Sequence, residues 1–267
     1  MSRKILIIDD HDDLATALKD EFTSLGHEVT TSASRASAIE IAADQTFDLV
    51  ITDLDGKNLL SGLNSNGHED LPCLPKPISE SRSTVKAFKI CLANYATSNF
   101  DEAEINELVK TTLNYKAQFI DRGEAIKNRS EQIDFEVPSI ISIMHDILEY
   151  LMKRVEKLGV VSPERSNLFV ALDEAFVNAV KHGNKFDTNK LVRISVRISP
   201  KKASFTIEDE GEGFDVKSIP DPTDPENLFK TSGRGVMFIY NIMDEVSYNK
   251  RGNRLTMVKK SELQEKD

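Results

Sequence analysis

The chain has 267 residues, with 34 basic against 44 acidic side chains, a formal net charge of -10 and a pI near 5.1. That length accommodates two domains with separate cores, and the acidic balance argues against a nucleic-acid surface, which needs a basic footprint. No apolar run approaches the ~18 residues that cross a bilayer, so no membrane partner is expected. The start, Met1-Ser-Arg-Lys-Ile-Leu-Ile-Ile8, leads into a strand-like segment instead of a cleavable signal, and a soluble cytoplasmic protein is expected. Cys73 and Cys91 lack metal-ligand spacing. They are expected as reduced thiols, a disulfide or sensor role being the lesser alternative.

Lys4 to Ile8 is a short apolar run ending in Asp9-Asp10, and Phe47 to Thr52 is a second one ending in Asp53. Between them the spacing predicts a helix through Leu14, Leu18, Phe22 and Leu25, closed by Gly26, a short strand around Glu28 to Thr30, and a second helix through Ile39 and Ile41. Strand-helix alternation of this kind makes a parallel sheet. Acids at the carboxyl ends of two such strands meet in the crevice where these sheets bind ligands. The residues resemble the receiver domain of response regulators. That resemblance implies Asp9 and Asp10 as a magnesium-binding pair, Asp53 as phosphoacceptor with an upstream histidine kinase as donor, and Lys76-Pro77 as the family's lysine followed by a cis-type proline. Only 22 residues separate Asp53 from Lys76, and Gly56 to His68 is rich in loop formers where the family fits a further strand and helix. The receiver is therefore truncated, and two readings stay open, phosphorylation at Asp53 or a degenerate pseudo-receiver. A helix from Ser79 to Tyr95 is expected to close this domain, taken as residues 1-95.

Residues 96-130 read as a helical connector. Ile105, Leu108, Thr112, Tyr115 and Phe119 fall at three-four spacing. The seam suits a partner helix and hence a homodimer. The alternative is a face packed on one of the chain's own domains.

The second domain, residues 131-262, opens with Ile133 to Pro138, a strand ended by proline. Ile140, Met144, Ile147, Leu151, Val155 and Leu158 give one apolar stripe, closed by Gly159. Ser162-Pro163 has the chemistry of a helix start. In the helix it opens, Leu168, Leu172, Ala175, Phe176 and Ala179 share one side while Glu174, Asn178 and Lys181 share nearly the opposite one. Val192 to Ile198 and Phe205 to Ile207 alternate as half-buried strands joined through Ser199-Pro200-Lys201-Lys202, and Arg254 to Lys259 is a last strand. The expected architecture is thus a truncated α/β receiver-like parallel sheet, a helical connector, and an α+β sandwich.

Three boxes in that sandwich carry chemistry. In Glu174-Ala-Phe-Val-Asn178-Ala-Val-Lys181-His182-Gly183-Asn184, a carboxylate and an amide four residues apart project from one helix side and can hold a metal and a water together. Asp209-Glu-Gly211-Glu-Gly213-Phe places an acid, able to accept from an adenine amine, before glycines that admit the base. Ser232-Gly233-Arg234-Gly235 opens a helix whose free amides can point at phosphate.

The ordered set resembles the GHKL ATPases and kinases, and within them bacterial anti-sigma-factor serine kinases, over roughly Gln132 to Lys260. The likeness extends to the Asp-Pro-rich stretch Asp221 to Glu226, to Gly233-Arg-Gly-Val-Met-Phe-Ile, to Met243-Asp-Glu-Val and to Gly252-Asn253. It implies ATP and magnesium as cofactors, Asn178 coordinating Mg with the phosphates, Asp209 recognising adenine, Gly211, Gly213, Gly233 and Gly235 shaping walls and lid, and Thr256 as a hydroxyl near the adenine. It also implies Glu174 as the group that takes or orients the proton of an incoming serine hydroxyl. Lys181 and Arg234 are candidates to neutralise phosphate, against a solvated-face reading for Lys181. His182 reads as structural or a ribose-side contact. His145-Asp146 is where a histidine kinase would show a phosphoacceptor, but it lies inside the first helix of the ATP domain and reads as an ordinary histidine. The implied function is phosphorylation of an anti-sigma-factor antagonist of STAS type, with capture of a sigma factor. The alternatives are a nucleotide-dependent binding module without phosphotransfer and an ATP hydrolase without a protein substrate.

Overall fold

A computed structural model describes residues 2-59, 73, 85-93, 100-123, 130-162, 167-216 and 234-261. The chain forms two compact units, Met1–Val137 and Pro138–Asp267.

In the first unit the apolar run of β1 (Lys4–Asp9) is wholly buried. β2 (Glu28–Ser32) and β3 (Leu49–Asp55) flank it in parallel, and the register sets Asp9 opposite Asp53. α1 (Asp13–Ser24) buries Leu14, Leu18 and Phe22, the three-four stripe of the sequence, and the chain turns out of it at Gly26 with φ +89°. α2 (Arg35–Asp44) starts at Ser34, whose side chain accepts the Ser37 N–H. A single short turn, α3 (Gly56–Leu59), follows β3. The expected parallel β2-β1-β3 core is therefore present.

Beyond it the chain departs from expectation. The described part of the expected Ser79 to Tyr95 helix is a strand, β4 (Val85–Leu92), antiparallel to β3. Its side chains from Lys86 to Leu92 are all buried, so no alternation marks it as a strand, and a short apolar run is ambiguous between buried strand and helix. Two lysines inside that run, Lys86 and Lys89, are matched by Asp53 and Glu136. Cys91 on β4 forms a disulfide with Cys73, which corrects the expectation of free thiols. Both cysteines are buried beside Ile8, Ala38, Val50 and Leu54. Lys76-Pro77 lies outside the described residues.

α4 (Glu102–Tyr115) is capped by Asp101 and buries Ile105, Leu108 and Thr112, with α1 among its neighbours. The own-domain alternative for this seam is what the fold uses. Tyr115 and Phe119, the remaining seam positions, stack on each other at 4.8 Å, and Phe119 stays exposed. After the wide turn at Lys116–Ile120 comes β5 (Ser130–Pro138), expected to open the second domain. It pairs in parallel with β4 from Val85↔Ser130 to Cys91↔Glu136.

The second unit is a helix-and-sheet sandwich. α5 (Ile141–Lys157) buries Met144, Ile147, Leu151 and Val155, and ends where Gly159 adopts φ +73°. β6 (Leu191–Ser199) and β7 (Lys202–Asp209) form the expected hairpin, with Val192, Ile194, Val196 and Ile198 turned into the core. β8 (Glu245–Tyr248), a strand not anticipated, and β9 (Arg254–Lys260) complete an antiparallel sheet in the order β6-β7-β9-β8. α6 (Leu168–Val177) packs between α5 and α7 (Arg234–Ile242). No helix among the described residues is long and apolar enough to cross a membrane.

Candidate functional site

A cavity of about 490 Å³ opens in the second unit. That is within the ~300–1,000 Å³ of small-ligand sites. α6 supplies Glu174, and the wide turn after it supplies Asn178 and His182. β7 supplies Ile207 and Asp209, β9 supplies Leu255, and the start of α7 supplies Gly235. Sequence positions from 174 to 255 converge on one space because the helix and two adjacent strands end there.

α6 does not continue as an α-helix. Asn178–Gly183 winds as a π turn, which widens the spacing along the chain, and Lys185 and Phe186 follow with φ of 57° and 58°. The end of this turn is tied down by Asn184, which has no solvent exposure. Its amide donates to Ser139 Oγ at 2.7 Å and to the Leu191 carbonyl at 2.9 Å, while its oxygen accepts the Glu210 N–H at 2.8 Å. Every capacity of that buried amide that could pin the turn to the sheet is in use, apart from one lone pair. The change of winding also explains which lysine reaches the cavity. Lys181, predicted from α-helical spacing, is exposed and absent from the lining, whereas Lys185 lines it.

Asp209 ends β7 under strict control. Its N–H donates to the Asn253 carbonyl at 3.0 Å, its carbonyl accepts from Asn253 Nδ2 at 2.8 Å, and its Oδ1 accepts the Gly211 N–H at 2.8 Å. Burial pushes its carboxyl pKa above the usual range, opposed by the Gly211 N–H and by Arg251. Glycine is a steric requirement around it: a Cβ on Gly183 would occupy the Asp209 carboxylate, and one on Gly211 would strike the Gly183 carbonyl oxygen. Gly211 thus backs the acid, while Gly213, at φ +77°, lines the cavity itself. A Cβ on Gly235 would collide with the Glu174 carboxylate, so α7 approaches α6 at that point.

The second wall is aromatic and was missed by sequence reasoning. Phe214 and Tyr248 both line the cavity and meet edge to face at 5.3 Å. Burial pushes the Tyr248 hydroxyl pKa up to about 12. In the sequence, the Phe that ends the Asp209 box and the Gly252-Asn253 pair border this wall without marking it as aromatic. Asn249 Oδ1 accepts the Gly252 and Asn253 N–H groups in a side-chain turn, and Arg251 Nη2 donates to the Gly211 carbonyl at 2.8 Å.

The structure brings together Glu174, Asn178, His182, Asp209, Gly213 and Gly235. Thr256 is not with them. It pairs with Thr206 on β7, Oγ1 to Oγ1 at 3.2 Å, and the neighbouring Leu255 faces the cavity, because successive strand residues point to opposite sheet faces. Gly233, the Asp221 to Glu226 stretch and the Arg234 side chain lie outside what the structure describes. His145 is exposed on α5, 3.3 Å from Glu149 and edge-on to Phe169.

The receiver-like acids of the first unit are engaged differently. Asp9 caps α1, its Oδ2 accepting the Leu14 and Ala15 N–H groups at 2.9 Å and its Oδ1 the His11 N–H, so it is not free to serve the predicted magnesium pair. Asp53 is 1 % exposed, with Lys116 Nζ at 2.8 Å and Lys86 Nζ at 3.3 Å. Lys116 also faces Asp121 at 3.2 Å.

Comparison with known proteins agrees with the geometry of the second unit. Residues 143-259 match the histidine kinase-like ATPase domain family. The anti-sigma F factor of Geobacillus stearothermophilus is 34% identical over 108 residues, covering 39% of this chain and 73% of the relative. The chain belongs to this ATPase family. The serine-protein kinase RsbW of Staphylococcus aureus (strain JH9) is 27% identical over 142 residues, 50% of this chain and 89% of the relative, and the strain Newman protein matches equally. That kinship implies ATP use and supports an ATP-dependent serine kinase.

Proposed function

We propose that the second unit binds Mg-ATP and transfers its terminal phosphoryl group to a serine of a protein partner, an anti-sigma-factor antagonist, and that the same unit captures a sigma factor. The observation that carries this reading is the convergence of Glu174, Asn178 and Asp209 on one cavity with glycines at Gly213 and Gly235. Asp209 accepts from the adenine amine, with Ile207 and Leu255 beside the base and Phe214 and Tyr248 forming the aromatic wall. The Asn178 amide oxygen is a hard donor that fits magnesium, which keeps waters and takes few protein ligands, and this leaves the Glu174 carboxylate to the incoming serine. Magnesium there neutralises charge on the phosphates. Glu174, one turn before Asn178, holds the serine hydroxyl and receives its proton, and Lys185 offers positive charge from the same rim.

The test is phosphotransfer from labelled ATP to an antagonist protein, with Glu174→Gln as the variant. Nucleotide affinity is expected to hold while transfer falls by roughly 10²–10⁴-fold, the usual worth of a positioned base. A Glu174→Gln protein with unchanged transfer overturns the assignment of Glu174. A native chain that controls its partner without any transfer favours the binding-module reading.

For the first unit we infer a pseudo-receiver that regulates the second. The burial of Asp53 between Lys116 and Lys86 supports a structural counter-ion over a phosphoacceptor. Acetyl phosphate is expected to leave Asp53 unmodified by mass spectrometry, and an adduct on Asp53 would restore the phosphorylated reading. Deleting residues 1-137 is expected to change ATP turnover or partner affinity, and an unchanged rate and affinity would remove the regulatory role.

A further inference from the structure

At the carboxyl end of the first unit's sheet, three side chains outside the ATP site converge. Asp10, His11 and Asp55 each offer one ligand atom, and these atoms lie within 4.8 Å of one another. His11 Nε2 is 3.2 Å from Asp55 Oδ2 and 3.7 Å from Asp10 Oδ1. Ligand atoms about 2.0–2.1 Å from a tetrahedral ion stand roughly 3.3 Å apart, so the two distances bracket the edge of such a site.

The second observation concerns Asp10. Its side chain is only 4 % exposed, and its two oxygens are treated unequally. Oδ2 accepts the Asp55 N–H at 2.9 Å and Asn58 Nδ2 at 2.6 Å, whereas Oδ1 is buried with no hydrogen-bond partner among the described residues. A buried carboxylate oxygen without a donor carries a substantial desolvation cost, and a cation removes it. The backbone and Asn58 hold the carboxylate so that the orphan oxygen faces the imidazole. Of the neighbouring acids, Asp9 is committed to capping α1, while Asp53 gives Oδ2 to both of its lysines and keeps a buried Oδ1 without a hydrogen-bond partner among the described residues.

We propose that Asp10, His11 and Asp55 bind one first-row transition-metal dication. Two carboxylate oxygens and one imidazole nitrogen form a mixed oxygen and nitrogen set that suits zinc or manganese better than magnesium, which prefers oxygen alone. Three protein ligands leave a further position to water. The ion joins the end of β1 to the end of β3, and so fixes the loop between β1 and α1.

Calorimetric titration of the chelator-stripped full chain with Zn²⁺, and separately with Mn²⁺, tests the site. One equivalent of Zn²⁺ is expected to bind. His11→Gln is the decisive variant, because the ring is 54 % exposed and its loss leaves the core intact. It is expected to weaken binding by more than about 100-fold, since even residues that only orient a ligand are worth ~10–100-fold. Asn58→Ala, which removes one hydrogen bond to Asp10 Oδ2, is expected to cost about tenfold. Loading with Co²⁺ adds a spectroscopic check, a visible absorption band from a low-coordinate ion that disappears in His11→Gln. The proposal is overturned by an absence of saturable binding to the native chain, by a His11→Gln affinity within a few fold of native, or by loss of the ion in Asn178→Ala in place of His11→Gln.

Discussion

Asp53 near the carboxyl end of β3 and Asp209 at the end of β7 are both acids withdrawn from water, and what surrounds each decides its use. Asp53 has two ammonium groups within 3.3 Å, and Lys116 in turn faces Asp121. Its charge is spent inside the protein. Asp209 has the Gly211 N–H on one oxygen and otherwise looks into the cavity, with Arg251 as an opposing positive charge and burial raising its pKa. Its acceptor capacity is held for something that enters. The same residue type near a strand's carboxyl end therefore serves as a structural clamp in one unit and, in the proposed function, as a recognition group in the other.

That contrast can be broken from the Asp53 side first. Asp53→Ala removes the carboxylate shared by the buried Lys116 and Lys86, while Asp121 remains near Lys116. Stripping one partner from a buried charge cluster costs about 3–5 kcal/mol, so urea unfolding should show a loss of that size in the first unit. A loss under about 1 kcal/mol would mean that the cluster does not hold the unit together. Asp209→Asn removes a charged acceptor worth about 1.5–3 kcal/mol, and calorimetry should show ATP binding weakened by roughly 10–150-fold with unfolding little changed. Gly183→Ala sharpens the same point without touching the acid. Its new methyl must displace the Asp209 carboxylate, and affinity is expected to fall by about tenfold.

The raised pKa of Asp209 gives a smaller, pH-dependent signature whose sign differs between folding and binding. Without nucleotide, the folded chain keeps this proton to higher pH than the unfolded chain, so the group's stabilising contribution is full below the unfolded carboxylate value and is lost as pH rises through the folded one. In the proposed binding mode adenine needs the ionised acceptor, so affinity is expected to fall as pH drops through that raised value. Titrations from neutral pH down into the ordinary carboxylate range should show the decline in the native protein and a flat profile in Asp209→Asn. An identical slope in both would assign the effect to another group.

Much of the second unit could be read in the sequence because its signals are local. The hairpin alternates cleanly, α5 has one apolar stripe, and the Glu174 and Asn178 boxes sit on a single helix side. What escaped depends on geometry that spacing does not encode. The π turn at Asn178–Gly183 moved the rim cation from Lys181 to Lys185, and the aromatic wall joins Phe214 to Tyr248 across a long stretch of chain. In the first unit the run Lys86–Leu92 is buried on both faces, which erased the strand period, and the acids that match Lys86 and Lys89 lie far away in sequence. The Cys73–Cys91 pairing is equally a product of that antiparallel strand.

Thr256 supplies the smallest expected effect and tests the register of β9. A hydroxyl at the adenine would make Thr256→Val damaging to nucleotide affinity. Instead the β7–β9 pairing sets Thr256 opposite Thr206, on the sheet face away from the cavity, and turns Leu255 toward the cavity. Val keeps the β-branched shape that a strand favours and loses one half-buried hydrogen bond, so stability should change by about 0.5–1.5 kcal/mol at most. ATP affinity should be unchanged. Leu255→Ala, one residue away, should weaken binding, because in the proposed mode it removes apolar cavity wall beside the base, worth about 25 cal/mol per Å². Reversal of that pair, with affinity lost at Thr256 and retained at Leu255, would mean that β9 is paired one residue out of register, since a one-residue slip exchanges the two faces of a strand.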